Sequence, residues 1–141
     1  MRSQFEKSLL NKIARVANRL EAEVENELKV SFALTFSQFR VLDALLGREE
    51  VSQRELAGII GVTPAVVTRQ AEVLGGRGLL EQRPNPRSRR ENLIVLSRKG
   101  EQAAIDAGKH VLASQKRVLE PLSVQEELGL ERAVDQLSKI V

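Results

Sequence analysis

The sequence has no cysteine, no tryptophan and no tyrosine, and one histidine in 141 residues. Without cysteine there are no disulfides, no thiol redox sensor and no thiolate metal site. A single histidine, His110, excludes a multi-histidine zinc site within one chain and leaves a Ser-His-Asp triad only one candidate base. His110 stands alone on a predicted helix and reads as a surface or dimer-contact residue. No apolar run approaches the roughly 20 residues that span a bilayer, and no signal-peptide pattern opens the chain. The expectation is a cytoplasmic protein with no membrane contact. No glycine-rich phosphate loop follows a strand, no nucleophile motif occurs, and no internal repeat or low-complexity segment is evident. Neither an enzyme nor a bound cofactor or metal is expected.

What is present points elsewhere. A length of 141 residues with 42% hydrophobic and 29% charged residues suits one domain with a real core and a charged surface. The net charge of +3 is unevenly spread. From Arg54 to Lys99 nine basic residues face four acidic ones, a net of +5, which leaves −2 for the remainder. A basic middle between near-neutral or acidic flanks suggests a module that faces a polyanion; the plainer alternative is a solvated charged surface.

The order of elements follows from periodicity and caps. Phe5, Leu9, Ile13, Val16, Leu20, Val24 and Leu28 recur at helical spacing and predict one long amphipathic helix. A stripe of that length needs a long partner surface, for which a second subunit is the natural source. Thr35 and Gln38 have capping-box spacing and open a short helix through Phe39, Leu42 and Leu45 or Leu46, ending near Gly47. Ser52 and Glu55 repeat the signal for a helix that Gly61 ends. Thr63 followed by Pro64 starts a third, with Val67, Ala71 and Leu74 inward and the glycines Gly75, Gly76 and Gly78 at its end. Strand-like runs follow at Leu79 to Arg83 and Asn92 to Leu96. Ser97 caps another helix that runs towards Pro121, with Gly108 weakening its middle. Ser123 with Glu126 opens the last, whose stripe is Leu130, Val134, Leu137 and Val141, with Ile140 beside it.

Ser52 to Leu96 therefore reads as a helix-turn-helix followed by a β-hairpin. On the helix from Pro64, the residues Ala65, Thr68, Arg69 and Glu72 share the outer side. Small residues there let the backbone approach a DNA major groove. Thr68 offers a hydroxyl and a methyl, and Arg69 can grip guanine in bidentate fashion. Free N–H groups at Ala65 and Val66 suit a phosphate oxygen. An ordinary amphipathic helix with a neutral outer face fits this segment alone equally well. The stretch "RPNPRSRREN", Arg83 to Asn92, shifts the balance. As a disordered linker, a solvated loop or a localisation tract it does not explain the apolar runs on both sides. As the tip of a hairpin, Arg87, Arg89 and Arg90 crowd like charges that a polyanion relieves, in a narrow minor groove above all. Pro84 and Pro86 stiffen it.

With these motifs in place, the chain resembles the MarR family of bacterial winged-helix transcriptional regulators over nearly its whole length. "LTFSQFRVL" is similar to that family's Leu-Thr-x-x-Gln-x-x-x-Leu pattern, and "SQRELAGIIGVTPAVVTRQAEVLGGRGLLEQR" to its helix-turn-helix and first wing strand. The wing signature, Asp-x-Arg, five residues, then Leu-Thr-x-x-Gly, falls on Ser88, Arg89, Arg90, then Leu96, Ser97 and Gly100. Ser88 replaces the aspartate that usually helps hold the wing arginine. Val73 and Gly75 replace a commonly polar and charged pair.

The resemblance implies a mainly α, α+β winged helix-turn-helix fold of about six helices with a small β-wing. Residues 1–34 and 101–141 would be dimerisation helices, and 35–100 the DNA-binding lobe. It implies a cytoplasmic homodimer on a pseudo-palindromic double-stranded operator, a regulator of transcription that acts as a repressor released by a small-molecule effector. The expected DNA-facing set is Ser52, Thr63, Pro64, Ala65, Thr68, Arg69, Arg87, Arg89 and Arg90, with Arg90 as the minor-groove arginine. The family often binds small aromatic or phenolic acids in a crevice between the dimer helices and the DNA-binding lobe, and Phe32 and Phe36 are the candidates to line it. The absent cysteine and scarce histidine speak against peroxide-sensing and zinc-sensing branches. The alternative function is a ligand-independent architectural DNA-binding protein.

Overall fold

The computed structural model describes residues 3–139. The predicted positions Ile140 and Val141 lie outside the described residues. In chain order the elements are α1 (Leu9–Phe32), α2 (Phe36–Leu45), β1 (Val51–Ser52), α3 (Gln53–Ile60), α4 (Pro64–Gly76), β2 (Leu80–Asn85), β3 (Ser88–Leu96), α5 (Arg98–Leu119) and α6 (Val124–Ser138).

Side-chain caps set most helix starts. Thr35 Oγ1 accepts from the Gln38 N–H at 3.1 Å while Gln38 Oε1 accepts from the Thr35 N–H at 3.0 Å, so both arms of the expected capping box are made. Ser52, Ser97 and Ser123 accept from the N–H groups of Glu55, Gly100 and Glu126. Thr63 caps α4, whose first residue is Pro64. Helix α1 starts at Leu9 rather than near Phe5, because Ser8 is its N-cap and accepts from the Asn11 N–H.

The core lies where α2, α3, α4 and the inner side of the sheet meet the C-terminal part of α1 and the N-terminal part of α5. Leu28, Val41, Leu42, Leu56, Val67, Ala71, Leu74, Ile94, Ala104 and Ala107 are completely buried there. Each large aliphatic side chain so buried contributes about 1.5–3 kcal/mol of transfer free energy. The helical-lobe periodicities therefore pointed at true core positions.

The sheet departs from the two-run expectation in two ways. It has three antiparallel strands in the order β1-β3-β2. The short β1 pairs Val51 with Ile94 and Ser52 with Leu93. Two residues are too short a run to show alternation, so β1 left no signal of its own. The hairpin strands also reach further into the charged stretch than expected. Only Pro86 and Arg87 separate β2 from β3, and Arg89 and Arg90 lie on β3 rather than in a loop. Pro84 is tolerated because β2 is an edge strand, with a register irregularity at Pro84/Asn85, and Pro86 lies in the turn. Asn85 Oδ1 accepts from the Arg87 N–H at 3.0 Å and closes the turn.

The stripe of α1 is split. Val24 and Leu28 are buried, whereas Phe5, Leu9, Leu10, Ile13 and Val16 are at least half exposed. Helix α6 has no buried residue among those described, and Val124, Leu128, Leu130, Val134 and Leu137 all face outwards. Leu112 on α5 adds to this uncovered apolar surface at 65% exposure. The two terminal arms thus carry apolar side chains that the single chain does not cover.

Candidate nucleic-acid interface

Helices α3 and α4 meet through the turn at Gly61, which takes the left-handed φ of 69°. Val62 in that turn packs against the core. Leu56 and Val67 are fully buried, so α4 is fixed by its inner face and its outer face is left open. Thr63, Pro64, Ala65, Arg69, Glu72 and Val73 are exposed on it. Thr68 is half-buried, and its hydroxyl donates to the Pro64 carbonyl at 2.9 Å. Its proton is therefore already used within the helix, so what Thr68 turns outward is its methyl and a lone pair. Ser52 is half-buried as the cap of α3, at the junction of β1 and the helix-turn-helix. It stands at the edge of the lobe rather than on the outer face of α4.

The wing carries its charge unneutralised. Arg87, Arg89 and Arg90 are exposed, and none forms an ion pair among the described residues; nor does Arg69. Arg83 does pair, with Glu81 on its own strand at 3.3 Å. Ser88 is half-buried at the start of β3. Three exposed guanidinium groups on one hairpin repel one another in water and suit an array of phosphates.

Three residues that set the geometry of this lobe, Arg77, Lys99 and Glu91, were not singled out by pattern. Arg77, at the C-terminal end of α4, donates to the Ala33 carbonyl at 2.7 Å and the Phe32 carbonyl at 3.0 Å. It ties the outer end of α4 to the end of α1, where Ala33 holds a left-handed φ of 51°. A non-glycine residue there costs about 1–2 kcal/mol, and its carbonyl is fixed by Arg77. Lys99 Nζ donates back to the Arg77 carbonyl at 3.1 Å. Glu91 Oε1 accepts from the Arg54 N–H at 2.9 Å and so joins β3 to the first turn of α3. Gly100 admits the closest approach, since a Cβ there would lie 1.8 Å from the Leu79 carbonyl oxygen. The Leu-Ser-x-x-Gly spacing marked that glycine but not its reason.

The two phenylalanines proposed for an effector crevice do not share one wall. Phe32 meets the His110 ring edge-on, with centroids 4.9 Å apart. Phe36 stacks on Phe39 at 6.4 Å, with the Arg40 guanidinium 6.0 Å from its centroid. Phe36, not Phe32, lines an open cleft of about 300 Å³ with Asn18, Glu21, Ala22 and Glu25. Beside Phe32, His110 Nδ1 lies 2.6 Å from Glu27 Oε1. The Glu27 carboxyl is held below its ordinary range by the hydrogen bonds from His110 and from Ser31, and by the nearby charge of Arg117.

A helix-turn-helix, a three-stranded wing and a fully buried joint between them define a winged helix-turn-helix protein. A family profile described as the MarR family matches residues 34–91. The multiple antibiotic resistance protein MarR of Escherichia coli is 28% identical over 106 residues, covering 75% of this chain and 72% of that protein. Among solved structures, a cysteine variant of Escherichia coli MarR complexed with operator DNA superposes with a TM-score of 0.83 at 21% identity, covering 96% of this chain and 99% of that one. Bordetella bronchiseptica BpsR, whose DNA binding is regulated by 6-hydroxynicotinic acid, gives 0.85 at 22%, with 98% of each chain covered. Residues 34–91 thus match the MarR family profile, and nearly the whole chain shares the fold of the solved MarR and BpsR structures.

Proposed function

We propose that this protein is a MarR-type transcriptional regulator that works as a homodimer on a pseudo-palindromic operator, as a repressor that a small molecule releases. The observation that carries the reading is one lobe with two open features. The outer face of α4 presents Ala65, Thr68 and Arg69, and the wing presents Arg87, Arg89 and Arg90 without acidic partners among the described residues. In the proposed complex α4 lies in the major groove, Arg69 contacts guanine, and the methyls of Ala65 and Thr68 meet thymine methyls or close space. Thr63, Pro64 and Ser52 sit at the helix starts, where phosphates approach. Arg90 enters the minor groove, and Arg87 and Arg89 track its phosphates.

Residues 1–34 and 101–141 are proposed to form the dimer through the uncovered side chains of α1, α5 and α6. The resulting two-fold places two α4 helices on successive major grooves, about 10 bp apart. The operator complex of Escherichia coli MarR supports this reading by likeness of fold. Regulation of BpsR by an aromatic acid supports an effector. In this chain an aromatic ligand is proposed to meet Phe36 in the cleft beside α1, with Phe32 governing the neighbouring end of that helix. Glu21 and Glu25 in the cleft wall disfavour a carboxylate there and favour a neutral or cationic aromatic.

Selection of bound duplexes from a random pool tests the reading. A sequence-specific dimer enriches an inverted repeat with half-sites about one helical turn apart. An architectural binder without sequence preference enriches no repeat, and that outcome would replace the present proposal.

A further inference from the structure

The charged stretch from Arg87 to Asn92 contains one acid, Glu91, and it is not engaged by the arginines beside it. Among the described residues no ion pair links Glu91 to Arg89 or Arg90. Its Oε1 accepts instead from the backbone N–H of Arg54 at 2.9 Å. Arg54 is the second residue of α3, so that N–H has no partner inside the helix. Ser52 Oγ takes the N–H of Glu55 in the same turn, at 3.1 Å. The first turn of α3 is thus capped twice, once by the residue before it and once from the wing. The positive end of the helix favours a carboxylate at that place.

The position of this contact along β3 matters. Pairing of β3 with β1 stops at Ser52↔Leu93. Beyond it, from Asn92 back to Ser88, the strand has only β2 beside it, and that pairing is irregular at Pro84/Asn85. Glu91 lies in this outer part, one residue from Arg90. Helix α3 in turn packs on α4 within the core. The side chain of Glu91 therefore joins the free part of the wing to the body that holds the recognition helix.

We propose that Glu91 is a positioning residue. By clamping β3 to α3 it fixes Arg89 and Arg90 at a set distance from the outer face of α4, the role left open by Ser88 where the family keeps an aspartate. This assignment rests on the proposed role of the wing arginines in DNA binding. It is a different device from an acid that pairs with the arginine itself. The arginine keeps its full charge for the groove, and the strand beneath it is held.

Charge and position predict opposite results. If Glu91 acts only as a negative charge near a polyanion, Glu91→Gln and Glu91→Ala both bind DNA more tightly, and equally. If it positions the wing, the two variants separate, because glutamine keeps an oxygen that can accept from the Arg54 N–H and alanine keeps none. The experiment measures affinity for the best duplex from the pool selection at fixed salt, and amide exchange at Arg54 in the DNA-free protein. Glu91→Gln is expected to bind at least as tightly as the parent with near-parent exchange. Glu91→Ala is expected to bind about tenfold more weakly, the order of one hydrogen bond to a charged group, with faster exchange at Arg54. Equal affinities of the two variants, or unchanged Arg54 exchange in Glu91→Ala, overturn the assignment. Arg90→Ala, measured alongside, separates the two claims. If it weakens binding while Glu91→Ala does not, only the role of Glu91 falls; if it leaves binding unchanged, the wing reading falls and takes this assignment with it.

Discussion

Replacing Gly100 by alanine tests the joint between recognition helix, wing and α5. The added Cβ would sit 1.8 Å from the Leu79 carbonyl oxygen and 2.8 Å from its carbon, so backbone must move by more than 1 Å. Neither side gives easily. The Leu79 carbonyl accepts from the Ser97 N–H at 3.1 Å, the Leu79 N–H donates to the Leu74 carbonyl at 3.0 Å, and the Ser97 hydroxyl donates to the Gly78 carbonyl at 2.6 Å. Overpacking of this kind costs about 1–3 kcal/mol and sometimes more. Loss of one strained hydrogen bond adds about 1 kcal/mol. Alanine returns up to about 1 kcal/mol through its better helix propensity. The net expectation is a loss of about 1–4 kcal/mol, or a fall in Tm of roughly 2–16 °C for a domain of this size. Thermal unfolding of parent and variant at the same protein concentration measures it, since an oligomer's Tm depends on concentration. Because the displaced backbone is the root of β2, operator affinity should fall as well. A variant as stable as its parent within about 0.5 kcal/mol would refute the packing argument.

Two further perturbations bear on the arms and on acid stability. Leu128→Lys, alone or with Val134→Lys, places charge on side chains already exposed at 46% and 51%, so a lone chain should keep its fold while a dimer loses its interface; sedimentation at micromolar concentration should change from dimer to monomer, and an unchanged mass would remove α6 from the interface. The lowered carboxyl of Glu27 contributes stability above its ordinary value of 4.5 that is lost as pH falls through the lower folded value. Glu27→Gln should therefore flatten the acid limb of a stability-against-pH curve below about pH 4.5, and curves of identical shape would show that the contact with His110 carries no linkage.

Much of the helical lobe was legible because its signals are local. The Thr35–Gln38 box, the Ser52, Thr63, Ser97 and Ser123 caps and the αL glycine Gly61 each act within a few residues, and each appears in the fold where spacing placed it. The helical stripe of α1 was legible as a period but not as a destination. Val24 and Leu28 go into the core while Leu9, Ile13 and Val16 stay outside, because only the rest of the chain decides how far along α1 the lobe reaches. The strand β1 was missed, since two residues carry no alternation and owe their pairing to Leu93 and Ile94 some 40 positions away. The wing strands were placed too short because proline and like charge argue against a strand, and the edge position that tolerates them is a property of the sheet. Of the candidate site, Arg69 and the wing arginines were legible as exposed cations, and Thr68 only in part, its hydroxyl being turned to Pro64. Arg77, Glu91 and Gly100 act through backbone groups far away in sequence, and no spacing rule announces such partners.

Engagement of DNA by the open charges of the wing is a proposal. Its most direct test is the salt dependence of binding to the selected duplex, for the parent and for Arg90→Ala, at several salt concentrations. Each phosphate charge neutralised contributes about −0.9 to the slope of log K against log salt. The parent should show a steep slope, and Arg90→Ala in a dimer should be shallower by about 2, one unit for each wing, with the fold intact. Parallel slopes with equal affinities would contradict the account.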